Sequence, residues 1–327
     1  MRVPIKLLIL LTIALATLAL APLLGMEFIP FNATGQEKEI LTSIRLPRVC
    51  CAFAAGAMLA LSGMAFQALF RNPLATPFTL GVSSGAALGA ALFIRLGIAF
   101  TILGISATSI AAFIGALLSI LLVYGLTRLK GGFSTPTLLL SGIAISFFFS
   151  SLILFIQYLS GLTQSFQIVH WMMGTLSTAD FSKLWNLLPF LISGGLILSM
   201  LSRELNLFMI GEDMAISRGV NTGLVKKLIF LAASLMVGGV VAICGPIGFI
   251  GMMAPHICRL IFGADHRFLM PATFLFGGIF LTICDTLTRV LSGLTSGAEL
   301  PVGVLTALLG GPFFIILLLN RKGSLDL

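Results

Sequence analysis

The sequence predicts an all-α polytopic membrane protein with about ten transmembrane helices and both termini in the cytoplasm. Two observations lead to this fold class: 58% of the 327 residues are apolar while only 9% are charged, and the apolar residues form long runs. Soluble domains carry about 25% charged residues, so a water-soluble domain of this length is excluded. Much of the protein surface must instead face lipid.

Ten apolar runs, separated by charged residues, prolines and glycine pairs, correspond to the predicted spans. Several are close to the ~20 residues that a helix needs to cross a bilayer. Stretches 79–127 and 228–262 are too long for one crossing, so each is expected to fold as a helical hairpin. The runs lie near residues 7–24, 49–70, 79–94, 99–127, 137–159, 184–201, 228–244, 247–262, 268–291 and 302–319.

The N-terminal run has two interpretations. Arg2 and Lys6 precede it and Ala19-Leu20-Ala21 resembles a cleavage site, as in a secretory leader. Its eighteen residues, 7–24, are long for a leader and near the length of a span. We therefore expect this run to be the first membrane helix.

The basic residues are distributed as membrane topology requires. The net charge is +8, which in a soluble protein would indicate nucleic acid or an acidic partner. With the N-terminus inside, thirteen Lys and Arg fall on the cytoplasmic side and six on the outer side, in agreement with the positive-inside rule. We therefore expect a multi-pass protein and no nucleic-acid partner.

Signatures of catalysis and of metal binding are scarce in the sequence. No lysine follows a glycine, so the Gly-Lys-Ser/Thr phosphate-binding motif is absent and the chain is expected to bind no ATP of its own. The three histidines are not spaced as metal ligands, and the five cysteines lie in apolar runs, where small core residues are expected. The sequence predicts neither an enzyme nor a metal site.

Small residues recur at every fourth position in two neighbouring spans. This spacing lets helices approach closely in lipid; alternatively, it lines a groove for a substrate. The positions are Ala52, Gly56 and Ala60 in one span and Gly81, Gly85 and Gly89 in the next.

Residues 203–227 form the longest polar stretch inside the chain. A glycine followed by two acidic residues can open a short helix, an arginine-glycine pair can end it, and an asparagine can cap the next helix. Two short helices on the cytoplasmic face would form a docking platform, with an ordinary solvated loop as the alternative. The residues that set these boundaries are Gly211, Glu212, Asp213, Arg218, Gly219 and Asn221.

Asp285 and Arg289 lie four residues apart in the ninth span, on one face of the predicted helix. A charge at bilayer depth costs about 2.5–3.5 kcal/mol on insertion scales, and an i,i+4 pair that faces the bundle interior offsets part of this cost. The pair is interpreted either as a structural ion pair or as a site on the transport path or at its outer mouth.

Several multi-residue motifs follow one another along nearly the whole chain. They are Arg45-Leu46-Pro47-Arg48, the segments 56–63, 71–77 and 80–86, Gly211-Glu212-Asp213, the segments 218–221, 248–251, 255–259 and 263–267, Asp285 with Arg289, and the segment 299–303. This series resembles the signature of the FecCD-type permeases, which belong to ATP-binding-cassette (ABC) importers of iron chelates, haem and cobalamin.

The resemblance implies a single permease domain over residues 1–327 with the type II ABC importer architecture. In this architecture a ten-span subunit pairs as a dimer, expected to be a homodimer, around a central translocation path. Two separate ATPase subunits, which hold ATP and Mg²⁺, and a substrate-binding protein complete the importer in the bacterial cytoplasmic membrane. The missing phosphate-binding motif fits this division of labour.

The resemblance also implies roles for individual residues. Arg45, Arg48 and Arg289 match outer-surface positions that pair with acidic residues of the binding protein. The platform of residues 203–227 matches the element that couples the permease to its ATPase. The positions that match the cytoplasmic gate are Asn72, Leu74, Ser134 and Thr135.

The implied cargo is a metal chelate. An apolar path with few fixed charges suits a bulky ferric siderophore or haem better than a small anion, which would need donors or helix N-termini. Cobalamin is one alternative. An ion-coupled secondary transporter is another, but such carriers place several ionisable residues within their spans, and this sequence shows almost none besides Asp285 and Arg289.

Overall fold

Helices make up nearly all of the secondary structure. The computed structural model describes residues 3–73, 75–102, 104–129, 135–294 and 299–320. Its helices are α1 (Val3–Leu20), α2 (Gln36–Glu39), α3 (Leu46–Phe70), α4 (Val82–Leu96), α5 (Ala107–Leu129), α6 (Thr135–Tyr158), α7 (Leu162–Met172), α8 (Phe181–Met200), α9 (Ser202–Ile210), α10 (Glu212–Ser217), α11 (Thr222–Cys244), α12 (Ile250–Phe262), α13 (His266–Leu291) and α14 (Val302–Asn320). Between them lie 3-10 turns at Ala21–Leu23, Pro77–Leu80 and Ser292–Leu294, π-helical turns at Ile40–Arg45, and a hairpin of β1 (Thr101–Ile102) and β2 (Ile105–Ser106).

The apolar helices coincide with the predicted runs. In the part of the chain that the structure describes, seven helices are long and apolar enough to cross a membrane: α1, α3, α5, α6, α8, α11 and α13, some with their flanking turns. Three shorter apolar helices, α4, α12 and α14, occupy the three remaining runs. The polytopic helical fold is confirmed, while the count of ten crossings and the side of the termini stay predictions.

Both long stretches break into two helices, but only α4 and α5 pack against each other as a hairpin, whereas α11 and α12 each pack on α3 instead. The β1–β2 turn separates α4 from α5, and residues 245–249 separate α11 from α12. Helix α7 was not among the predicted runs, because its eleven residues interleave Gln164, Gln167 and His170 with apolar side chains. Its capping pattern was the available signal: Gln164 Oε1 accepts a hydrogen bond from Gly161 N at 3.2 Å.

Helix α3 lies at the centre of the bundle, in contact with α8, α11, α12 and α13. Its small residues allow backbones to meet directly. A Cβ built on Gly56 would collide with the carbonyl oxygen of Gly277 on α13, and a Cβ on Gly63 with that of Gly251 on α12. These contacts pack α3 against two helices along its length.

The second stripe of small residues has the same role between α4 and α5. A Cβ on Gly85 would collide with the carbonyl oxygen of Gly115, and a Cβ on Gly89 with that of Ala111. Because neighbouring helices cover both stripes, the packing interpretation holds, and the interpretation as a substrate groove along these faces is wrong.

Gly63→Ala tests how closely α3 and α12 must approach. The new methyl group would collide with the backbone of Gly251 on α12, so the helices must separate, and overpacking of this kind costs about 1–3 kcal/mol. We expect a lower thermal midpoint and less monodisperse protein in detergent. The matched control is Gly125→Ala in α5, where a Cβ meets no atom within 4 Å. Equal losses in the two variants would contradict the packing argument.

Candidate functional site

Two groups of polar residues lie at opposite ends of α13. Its first residue, His266, contacts Asn206 of α9, whereas Asp285 and Arg289 lie in its last two turns. Following the predicted topology, we call the end with α9 and α10 the inner end and the end with Asp285 the outer end. Each end carries one candidate site.

Asp285 is the centre of a charge network at the outer end. Its side chain is fully buried. Arg48 Nε donates to both carboxylate oxygens, at 3.0 and 3.1 Å, and Arg289 Nε lies 3.3 Å from Oδ2. Arg48 Nη1 also donates to Glu299 Oε2 at 2.8 Å. We call Arg48, Asp285, Arg289 and Glu299 the Asp285 network.

Arginines at this end also hold the segment that follows α1. Arg289 donates to the carbonyl oxygens of Leu24 and Ala21, at 3.0 and 3.1 Å. Arg45 donates to the carbonyl oxygen of Glu27 at 2.9 Å. The outer end therefore joins α3 and α13 to the segment after α1 and, through Glu299, to the segment before α14.

This geometry corrects the expected position of two arginines. Direct docking to an acidic partner requires guanidinium groups that reach solvent, but Arg48 and Arg289 are only 5% and 4% exposed. Both donate to groups of their own chain, because a buried cation is stable only when it is paired and hydrogen-bonded. Arg45 is half-buried. Docking at this end is untested, and the structure favours the structural interpretation of Asp285 with Arg289.

At the inner end, the boundaries of α10 follow the sequence pattern. Gly211 precedes the helix, and Glu212 and Asp213 occupy its first turn. Arg218 is the C-cap residue, and Gly219 follows with φ +80°, a left-handed conformation that glycine adopts without strain.

The helix that follows the platform is capped as its sequence indicates. Asn221 Oδ1 accepts a hydrogen bond from the backbone N–H of Leu224 at 3.1 Å, which satisfies one of the free donors at the start of α11. The stretch 203–227 therefore contains most of α9, all of α10 and the start of α11. From here on, the term platform refers to α9 and α10 alone.

Lys226 of α11 holds the platform, although the sequence pattern did not single it out. Its Nζ lies 2.5 Å from Glu212 Oε1, and its side chain is buried whereas that of Glu212 is 42% exposed. A partly buried pair is screened less than an exposed one. The two residues are fourteen positions apart and meet only through the turn at Gly219, so no local spacing reveals the pair.

Asn206 ties the platform to α13. Its Nδ2 donates to Asp265 Oδ1 at 2.8 Å, and its Oδ1 accepts the backbone N–H of His266 at 2.9 Å. The backbone N–H of Arg267 and the Asn206 amide lower the pKa of the Asp265 carboxyl below its usual value. The cap of α13 is therefore a carboxylate held by two hydrogen bonds.

The platform presents an apolar surface beside its acidic turn. Ile210, Met214 and Ile216 are all exposed, while Ala215 is buried. Exposed apolar side chains rimmed by charges are typical of protein contact sites. This composition favours the interpretation of the platform as a docking surface, which stays a prediction.

Helices α3 and α13 connect the two ends. Helix α3 carries Arg48 near its start and ends beside Arg71, whose Nη1 would lie 3.9 Å from a Cβ built on Gly211. The 26 residues of α13 span about 39 Å. Because the two helices pack against each other, they form one continuous connection between the two ends.

The predicted gate residues are only partly described. Asn72 is half-buried, and its backbone N–H donates to the Gln67 carbonyl at 3.2 Å. Thr135 is the first residue of α6. Leu74 and Ser134 lie outside the described residues, so the assignment of a gate stays a prediction.

An apolar cavity of about 550 Å³ opens where α7, the α11–α12 loop and α14 meet. Hydrogen bonds from Thr175 N to the Cys244 carbonyl, at 2.8 Å, and from Gly303 N to the Gly174 carbonyl, at 3.2 Å, join these elements. The cavity lining contains no ionisable side chain and consists of Phe78, Met172, Met173, Pro246, Gly248, Gly303, Val304, Ala307 and Leu308. Across the described ranges, no three His, Cys, Asp or Glu side chains are grouped for a metal ion.

Asp285→Asn removes the counter-charge that two buried arginines share. Loss of one partner of a buried ion pair costs about 3–5 kcal/mol, so we expect a large fall in thermal midpoint and in folded yield. Glu299→Gln is expected to cost less, since that side chain is 37% exposed, and Glu37→Gln, at an exposed position of α2, is the control. Size-exclusion chromatography after heating ranks the stability of the three variants. An Asp285→Asn variant as stable as the control would contradict the network's structural role.

Comparison with known proteins identifies relatives along most of the chain. The FecCD transport family model matches residues 5–320. The chain is 38% identical over 292 residues to the cobalamin import system permease protein of Halobacterium salinarum, covering 89% of this chain and 76% of that protein. It is 40% identical over 291 residues to the hemin transport system permease protein of Yersinia pestis, covering 87% and 84%.

A solved structure shares the fold. An ABC transporter described as of the metal-chelate type, in an inward-facing conformation, matches with a TM-score of 0.87 at 33% identity over 97% of this chain and 99% of its own. The resemblance seen in the sequence and the importer-permease architecture are both confirmed. Permease subunits of ABC importers are not themselves enzymes. This chain belongs to the FecCD family of ABC importer permeases.

Proposed function

We propose that this permease conducts a bulky metal chelate, a ferric siderophore or haem, which a substrate-binding protein delivers at the outer end. The observation that carries the proposal is the apolar cavity. Its thioether, aliphatic and aromatic lining suits a large ligand with much apolar surface. A small oxyanion would instead need donors or helix N-termini around it.

The size of the cavity supports the same class of cargo. Its volume of 550 Å³ falls in the range of drug-sized ligand sites, about 300–1,000 Å³. A second, smaller cavity of 200 Å³ adjoins it and shares Phe78 and Gly248. In the proposed homodimer a second copy of this surface faces the first, and the cargo passes between them. The proposed location is the bacterial cytoplasmic membrane.

The platform is the proposed coupling element. Two ATPase subunits, which bind ATP and Mg²⁺, would each receive α10, with Glu212 and Asp213 at its start and Met214 and Ile216 exposed along it. The ion pair with Lys226 keeps α10 in place against α11, so that movement of the ATPases is passed to the bundle.

Cobalamin is the second candidate cargo, favoured by the relative whose name specifies cobalamin import. A corrinoid is also bulky, and the cavity does not discriminate it from haem. An ion-coupled carrier is a weaker alternative, because the buried carboxylate described here, Asp285, is engaged by arginines of its own chain, whereas coupling sites need a carboxylate that can bind and release an ion.

The cargo is tested with the complete importer in liposomes. We expect ferric siderophore or haem, presented with the binding protein, to stimulate ATP hydrolysis and uptake, and molybdate to have no effect. Leu308→Glu, at an exposed position of the cavity wall, is expected to reduce uptake without loss of folded protein. Stronger stimulation by cobalamin would select the second candidate, and stimulation by molybdate alone would contradict the argument from the apolar cavity.

Glu212→Lys tests the coupling role of the platform. The variant places two cations together where an ion pair holds α10, so we expect transport per ATP to fall on the order of tenfold, equivalent to about 1.4 kcal/mol, in a correctly folded permease. The charge swap Glu212→Lys with Lys226→Glu should restore part of the loss. Glu37→Lys, at the outer end, is the control. Normal transport by Glu212→Lys would show that the pair does not support coupling.

A further inference from the structure

We propose that a groove between α8 and α13 binds an anionic phospholipid, phosphatidylglycerol, with its headgroup at the inner end. The groove has a volume of about 690 Å³. Its apolar lining includes Leu61, Leu191, Ile192, Leu196, Met270 and Phe274. This proposal is independent of the cargo that the permease carries.

The apolar part of the groove fits acyl chains. Helices α8 and α13 both belong to the described helices that are long and apolar enough to cross a membrane, so hydrocarbon is the medium that this face meets. A groove in such a surface is filled by lipid unless another protein covers it.

All the polar lining residues lie at one end of the groove. Ser199 is in the last turn of α8, Ser202 begins α9, and His266 and Arg267 begin α13. Arg267 is exposed and makes no salt bridge with any carboxylate in the described ranges. Basic pockets between membrane helices on the cytoplasmic side are typical sites for anionic headgroups.

The second observation is an unused acceptor on His266. Its side chain is fully buried, and its Nδ1 lies 2.7 Å from Asn206 Oδ1. Because Asn206 Nδ2 donates to the Asp265 carboxylate, the atom that faces His266 is the amide oxygen, and Nδ1 must carry the proton. Nε2 of the neutral ring is then an acceptor, and it is buried without a hydrogen-bond partner.

These two groups specify the headgroup. Arg267 can pair with the phosphodiester of a phospholipid headgroup, and His266 Nε2 can accept a hydrogen bond from a donor, which phosphatidylglycerol supplies with its glycerol hydroxyls. Phosphatidylcholine has no donor. Phosphatidylethanolamine has a donor but brings a cation to a place where Arg267 and the charge of Arg259, which acts on His266, already oppose one. The complementary ligand therefore carries a net negative charge and a hydroxyl group.

Native mass spectrometry of the full chain, titrated with single lipids in detergent, tests the proposal. We expect phosphatidylglycerol to bind about fivefold tighter than phosphatidylcholine or phosphatidylethanolamine, the effect of about 1 kcal/mol per cation. Phosphatidylmethanol, which has the same charge but no hydroxyl, should bind about fivefold more weakly than phosphatidylglycerol. Arg267→Gln should abolish the preference for the anionic lipid. Arg128→Gln, an exposed arginine at the end of α5, is the matched control.

These outcomes distinguish a specific lipid-binding site from nonspecific electrostatic attraction of anionic lipids. Equal binding of phosphatidylglycerol and phosphatidylcholine, or equal losses in Arg267→Gln and Arg128→Gln, would overturn the proposal. Equal binding of phosphatidylglycerol and phosphatidylmethanol would also overturn it, because the hydroxyl group that His266 is proposed to recognise would then have no effect. His266→Phe should erase the difference between these two lipids, and the wild-type comparison gives the answer even if that variant does not fold.

Discussion

The burial of one carboxylate constrains how the helices of this permease assemble. Asp285 has no contact with water, and in so apolar an environment its charge persists only because Arg48 and Arg289 surround it. Arg48 belongs to α3, so the pairing sets the register of α3 against α13. The contact between Gly56 and Gly277 depends on that register, and so does the platform, which touches the inner ends of both helices.

Local signals in the sequence were sufficient for the long apolar helices, the break within each long stretch and the boundaries of α10, but not for α7, whose polar residues interrupt its apolar pattern. A glycine before two acids or an asparagine before a helix acts within one turn. The spacing of Asp285 and Arg289 is equally local. Arg48 lies 237 residues from Asp285, and nothing in its own motif distinguishes a buried arginine from one that meets a partner. Lys226 and Glu299 were missed for the same reason, because their partners are brought close only by the fold.

The glycine contacts also limit how this molecule can change shape. Where backbone meets backbone, as between Gly63 and Gly251, no side chain is available to rearrange and absorb a sliding movement. Helices α3, α12 and α13 therefore move together. Any rearrangement of this chain therefore has to occur outside these contacts, for example in the connections 75–81 and 245–249.

The long sequence separation within the Asp285 network has a consequence for biosynthesis. Arg48 is 237 residues ahead of Asp285 and 251 ahead of Glu299. At about 5–20 residues per second, on the order of ten to fifty seconds pass between translation of the arginine and translation of its acidic partners. During that time Arg48 in α3 lacks these counter-charges. The helix can therefore adopt its final position in the bilayer only after α13 and Glu299 have been translated.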